Sequence, residues 1–372
     1  MTTTKTYDLL NRLTNITSAN ASAAVLDSRV YSYDSANQRT GMTNADNTRW
    51  AYQYDSLGQV TSGKKYWSDG TVVAGQQFQY AFDDIGNRNS ASFGGDQYGY
   101  GLRTATYGAN SLNQYTNRTI PGYLEITGSA NSNATVTIWN SDYAYALTYR
   151  RNDYFWGEFY TNNNFASTWL TLTNLAVLQN GTNADIITNT VGNAFVPKTP
   201  ETFTYDADGN LRTDGRWTYF WDGENRLVRM TNNVDVPNGA KMVLLFAYDY
   251  QGRRISKTVS NYVGSCYALL DQTTFVYDGW NLVDELNGAN GALVRSYMWG
   301  LDLRGRLQGS GGVGGLLAVN DIANGSGVQF GGFDANGNVT VLAKSVDTSL
   351  FATYEYGPFG ELIRATGPRY PE

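Results

Sequence analysis

The 372 residues contain no histidine, one cysteine and seven prolines. Without histidine there is no Ser-His-Asp or Cys-His nucleophilic machinery and no histidine-containing zinc site, which leaves carboxylates, lysine, tyrosine and threonine to move protons. Cys266 alone cannot close an internal disulfide, so the redox compartment stays open. Long apolar runs are missing too: Met242 to Ala247 and Val313 to Val319 fall far short of the roughly 20 residues a membrane helix needs. The opening MTTTKTYDLLNRLTNITS has no basic segment followed by an apolar core, so it reads as no secretory signal. Positive charge is scarce. A net charge of −6 without a basic stripe removes the counterion-release drive of nucleic-acid binding, and neither nucleic acid nor an anionic membrane is an expected partner.

Glycine (40), tyrosine (28), threonine and asparagine are abundant, which favours strands and tight turns over helices. With 41% hydrophobic residues the chain has enough apolar surface for a sizeable core. One phrase also recurs. FTYDADGNLRTDGRWTYFWDGENRLVRM, Phe203 to Met230, states it twice: an aromatic, Asp, a short Gly- or Asn-containing turn, then Leu-Arg or Leu-Val. It returns at Tyr7, Tyr33, Tyr54, Phe82, Tyr248, Tyr277, Phe333 and Tyr356, with neighbours in each run 16 to 29 residues apart, a period that signals a repeat architecture. Each copy makes sense as a hairpin corner. Asp206 accepts turn amides, Gly209 or Asn210 takes the left-handed conformation, and an alternating strand leaves. Stacked hairpins then pair into a long sheet.

Tyr-Asp-x-x-Gly-x-(Leu/Arg/Val) at this spacing resembles the YD repeat of the RHS family, which includes bacterial polymorphic toxins, insecticidal toxin-complex subunits and the animal teneurins. The resemblance covers residues 1–116 and 201–372. SYMWGLDLRGRLQGSGGVGGLLAV, FDANGNVTVL and YEYGPFGELIRATGP look like the lead-in to, and first half of, the RHS-associated core. It implies an all-β fold in which YD-repeat β-hairpins spiral into a curved sheet, a segment of a shell. It further implies that the payload and the aspartyl self-cleavage apparatus of toxin relatives lie outside this chain.

The phrase is absent from residues 117–200. There Leu124–Ile126 and Val136–Ile138 alternate as half-buried strands around a Gly/Ser/Asn turn, and Pro197 and Pro200 mark an exit. The segment resembles a small bacterial Ig-like β-sandwich, with Trp139, Trp156 and Trp169 expected in its core; the competing reading is an elaborated loop of the repeat sheet. The domain reading is therefore YD repeats over 1–116, an Ig-like insert over 117–200, YD repeats over 201–300, and the Gly-rich lead-in with the first half of the core over 301–372.

Motifs that could carry chemistry are few. Gly309 to Gly314 satisfies G-x-G-x-x-G with Asp334 about 20 residues on, but the next segment, GLLAVNDIANGSG, is too short and turn-rich for a phosphate-binding helix, which leaves a loop. DADGN at Asp206 and DANGN at Asp334 evoke calcium loops, yet Gly209 falls at loop position four and Trp217 at position twelve, where an EF-hand wants other residues. Asp83-Asp84 and Asp284-Glu285 are sequence neighbours that a strand points to opposite faces. No catalytic residue, metal ligand or cofactor is expected. The expected function is a non-enzymatic structural shell or scaffold segment of an exported RHS-type protein, secreted or at the cell surface. Its expected partner is a C-terminal payload domain outside this chain. The alternative is a module that binds carbohydrate or a cell surface through exposed aromatics and contacts glycans.

Overall fold

The computed structural model describes residues 1–140 and 144–367. Among them every regular element is a β-strand except a single 3-10 turn, Asn238–Ala240. Two antiparallel meanders carry the repeats. The first has eleven strands and starts at Thr2–Tyr7; the second has fourteen and runs in strict sequence order from Thr204–Tyr205 to Leu362–Thr366. Side chains alternate as the pleat requires: in Arg49–Tyr54, Trp50 faces inward at 2% exposure while Arg49 and Gln53 face solvent.

Hydrogen bonding joins the two meanders. The chain leaves the sheet after Tyr115–Arg118 and returns beside itself, with Asn117 paired to Thr202 and Arg118 to Glu201. The Phe203 amide then donates to the Thr116 carbonyl at 3.0 Å. The connections on one rim of the meander, every second one along the chain, are the copies of the repeated phrase together with the turns at Asn110 and Asp302. All copies therefore line one rim of the sheet, and the inserted segment leaves from the opposite rim. The reading that divides the chain at residue 301 meets no break in pairing, since Tyr297 pairs with Val319 across it.

The insert is two facing sheets. Tyr154–Tyr160 is flanked by Tyr123–Ser129 and Tyr149–Arg151, and opposite lie Tyr145–Leu147, Thr135–Asn140, Thr168–Leu178 and Ile186–Val196, in that order. Ile138, Phe159 and Leu172 form the core between them, with Leu124, Ile126, Ala146 and Leu170 packed around it. The alternation read at Leu124–Ile126 and Val136–Ile138 is therefore the alternation that fills this core. The tryptophans differ from expectation. Trp156 lies over Gly75 and Trp169 over Gly239, both glycines of the repeat region, and Trp139 packs on Tyr145. Each tryptophan lies an odd number of residues from the core residues of its own strand, so the pleat turns it to the opposite face, and there Trp156 and Trp169 fill the junction with the larger sheet.

That junction is extensive. The Tyr154 hydroxyl, 2% exposed as a residue, donates to the Ala74 carbonyl at 2.6 Å. Arg103 makes a bidentate pair with Glu158 at 2.9 and 2.7 Å, and Arg151 meets Asp69 at 2.7 Å. The repeat sheet also curls until its last strands lie on its first. The Ala335 amide donates to the Tyr31 hydroxyl at 2.8 Å, and the Thr340 hydroxyl donates to Asp27 at 2.6 Å.

Candidate functional site

The repeated phrase is a five-residue turn organised by its aspartate. Asp206 Oδ1 accepts the amides of Asp208 and Asn210 at 3.0 and 2.8 Å, while the Gly209 amide donates back to the Asp206 carbonyl at 3.2 Å. Gly209 has φ +86°, a conformation that costs a side chain with a Cβ but not glycine. The same pair of amide bonds recurs at Asp8, Asp34, Asp55, Asp83, Asp222, Asp249 and Asp334. The side-chain amide of Asn210, against the opposing effect of desolvation, and then the turn amides hold the Asp206 carboxyl below its ordinary range. Its oxygens face N–H donors, so the turn reading accounts for them.

The aromatic that opens the phrase has its own task. The hydroxyls of Tyr33, Tyr54, Tyr248, Tyr277 and Tyr356 donate to the carbonyls of Leu13, Arg39, Leu227, Arg254 and Val339, all at 2.8 Å. Each of these carbonyls belongs to the first residue after the preceding five-residue turn of the rim. At Trp221 the indole N–H replaces the phenol and donates to Leu211 at 2.8 Å. The fifth turn residue adds a second link. Arg12, Arg226 and Arg253 pair with their own aspartates at 2.7 to 2.8 Å and lie over Tyr33, Tyr248 and Tyr277 of the next copy.

Two copies depart from this turn. After Tyr277, Asp278 pairs with Asn281 around Gly279 and Trp280, a tighter hairpin. After Tyr356, Gly357 stands where aspartate would, and Glu361 from the fifth position folds back so that its carboxylate accepts the Phe359 amide at 2.9 Å. Asn20 makes a further turn of this geometry, with Ala23 in the left-handed conformation, and three others, at Asp96, Asn110 and Asp302, also lie outside the repeated phrase. The signal of these three is Asp-x-x-Gly or Asn-x-x-Asn without the preceding aromatic.

A buried polar cluster lies where the last strands meet the first. Glu355 pairs with Lys65, accepts from Gln76 at 3.3 Å and pairs with Arg364 at 3.3 Å. Burial works to raise the Glu355 carboxyl, and Lys65 and Arg364 more than offset it, leaving it below its ordinary range. Beside the cluster is a cavity of about 240 Å³ lined by Asp27, Arg29, Trp50, Lys65, Tyr354 and Glu355 among others. Asp27 is itself paired with Arg29 and bonded to Thr340. Each acid here meets a cation or a hydroxyl, so the cluster is built to join strands, and no free base stands beside a nucleophile. Lys65 and Glu355 lie 290 positions apart, and nothing in either's sequence neighbourhood marks them.

The remaining motifs resolve as structure. Gly309 to Gly314 lies in a loop held by Asp302, whose carboxylate accepts the amides of Arg304, Arg306 and Ser310; the next element is the strand Leu316–Asp321, not a helix. Asp83 serves its turn while Asp84 faces solvent. Glu285 pairs with Arg295 at 2.9 Å and accepts from the Tyr297 hydroxyl at 2.8 Å, with Asp284 on the alternate face of the same strand.

Known proteins share the repeat. The RHS Repeat family model matches residues 33–72. The tRNA3(Ser)-specific nuclease WapA of Bacillus spizizenii is 30% identical over 165 residues, covering 43% of this chain and 6% of that protein. The tRNA nuclease WapA of Bacillus subtilis strain 168 is 33% identical over 102 residues, 27% of this chain and 4% of the relative. The chain thus spans a small fraction of the length of the curated relatives it matches. A crystal structure of TcdB2-TccC3-TEV aligns with 97% of this chain and 18% of its own, at 14% identity and a TM-score of 0.33.

Proposed function

The chain is an RHS/YD-repeat protein, and from that premise we propose that it serves as a non-enzymatic wall segment of an exported or cell-surface protein, with a payload domain as its partner. The observation that carries this reading is the use made of its polar groups. The rim aspartates are bound to their own turn amides, and Glu355, Lys65 and Arg364 to one another, which leaves no proton-transfer group poised at a cavity among the described residues. Nuclease activity of the WapA relatives belongs to proteins of which this chain matches 6% or less.

The insert is tied to this wall through Tyr154 on Ala74, Arg103 with Glu158 and Arg151 with Asp69. Its strand order supports an Ig-like sandwich lacking the first strand, because three strands face four in the sequence of an immunoglobulin D-E-B sheet over a C′-C-F-G sheet. Stacking of a glycan on the insert's tryptophans draws little support, as they are taken up in packing.

Incubation of the purified chain with tRNA and with a panel of glycoside substrates tests the reading. No turnover is expected. A rate that a single carboxylate substitution abolishes would overturn it.

A further inference from the structure

The insert ends on a strand whose outer edge is open. Ile186–Val196 is the last strand of its sheet and pairs with Thr168–Leu178 over eleven residues without a register shift. Ile186 to Asn193 are all exposed, with Ile187 at 62% and Val191 at 58%. Natural edge strands are blunted by lysine, proline, an inward charge or a bulge. IITNTVGNAFV has none of these.

We propose that this edge pairs with the same edge of a second copy of the chain, antiparallel about a twofold axis through Asn189. The residues choose the partner and the register. Pairing must keep like faces together, so the sum of paired residue numbers is even. With Asn189 on the axis, Ile187 of one copy meets Val191 of the other, Thr188 meets Thr190, Ile186 meets Gly192, and Asn189 meets itself as an amide pair. β-branched residues then face each other at both ends of the outer face. Asp185, which precedes the strand, falls opposite Asn193 rather than opposite its own copy, so the twofold brings no like charges together. An axis at Thr190 would set Ile187 against Asn193 and Val191 against Asn189. An axis at Val191 would need Phe195 and Val196, but Arg216 covers the first and the second is 3% exposed. The contact is isologous, and it joins two four-stranded sheets into one of eight.

Sedimentation equilibrium of the full chain over a wide concentration range tests the pairing, together with Val191→Lys and with Asn189→Cys in a Cys266→Ser background. The expected result is reversible dimerisation that Val191→Lys weakens at least tenfold, with the melting temperature of the monomer unchanged because the side chain is exposed. On oxidation Asn189→Cys should cross-link to itself, and Thr190→Cys, off the axis, should do so far less. A monomer at every concentration, a dimer indifferent to Val191→Lys, or equal cross-linking at both positions would each overturn the proposal.

Discussion

The hydroxyl of Tyr205 donates to the carbonyl of Tyr115 at 2.9 Å, across 90 positions of sequence and around an entire inserted sandwich. Five other tyrosines of the repeat make this bond to the preceding turn of their own rim. The repeat's geometry thus passes over the insertion without a lost link.

Removing that hydroxyl should cost the amount of one hydrogen bond. Tyr205→Phe and Tyr248→Phe are each expected to destabilise by about 0.5–1.5 kcal/mol, because the ring still packs and only the bond is lost. Urea unfolding of each variant checks this.

At the turn itself, backbone conformation should matter more than charge. Gly209→Val is expected to cost about 1–3 kcal/mol, since φ is +86° and the new Cβ would otherwise make only an ordinary contact with Gln114 at 3.5 Å. Asp206→Asn should cost little, for Asn110 already does this work, its Oδ1 accepting Leu112 and Gln114 at 2.9 and 3.0 Å. Asp206→Ala should be worse than Asp206→Asn, and a chelator should shift no melting temperature. The lowered carboxyls of Asp8, Asp83, Asp206, Asp222 and Asp249 bind fewer protons folded than unfolded. Their contribution is therefore present above the ordinary value of 3.8 and lost as pH falls below it. Acid titration followed by circular dichroism reads that loss.

The seam should respond as a buried ion cluster does. Glu355→Ala leaves Lys65 and Arg364 without their counter-charge and is expected to destabilise by about 3–5 kcal/mol. The paired change Lys65→Met with Glu355→Leu should cost less than Glu355→Ala alone. Equal losses in denaturant titrations would mean that packing, not charge, holds the seam.

Glu125 gives the insert junction a pH dependence of opposite sign. Its carboxyl lies against Gly94, and burial, then the Glu158 carboxylate, push it up to about 8. A raised folded-state value makes its contribution complete below the ordinary value of 4.5 and lost as pH rises through about 8. Glu125→Gln should flatten the decline in melting temperature between pH 5 and pH 9, approximate limits chosen to bracket that range.

How much of this is legible in the sequence depends on range. Asp206 and Gly209 act within five residues, so their turn can be read from DADGN alone. The alternation at Leu124–Ile126 and Val136–Ile138 likewise announces the sandwich core, because a pleat puts every second side chain on one face. The turns at Asp96, Asn110 and Asp302 escape a phrase anchored on its aromatic, whereas the backbone needs only the acceptor and the left-handed residue.

By itself, the sequence determined the local grammar: all-β structure, a turn where the Asp of the repeated phrase is followed three residues on by Gly or Asn, and one rim for all the copies, because an even number of strands separates neighbouring copies within each run. Tertiary structure alone decided which distant groups meet. Lys65 and Glu355 are joined by the curl of the sheet, and Trp156 and Trp169, on the faces of their strands away from the insert's core, are brought onto Gly75 and Gly239. Curvature accumulates from small twists over many strands, so no single residue encodes the place where the last strands come to rest on the first.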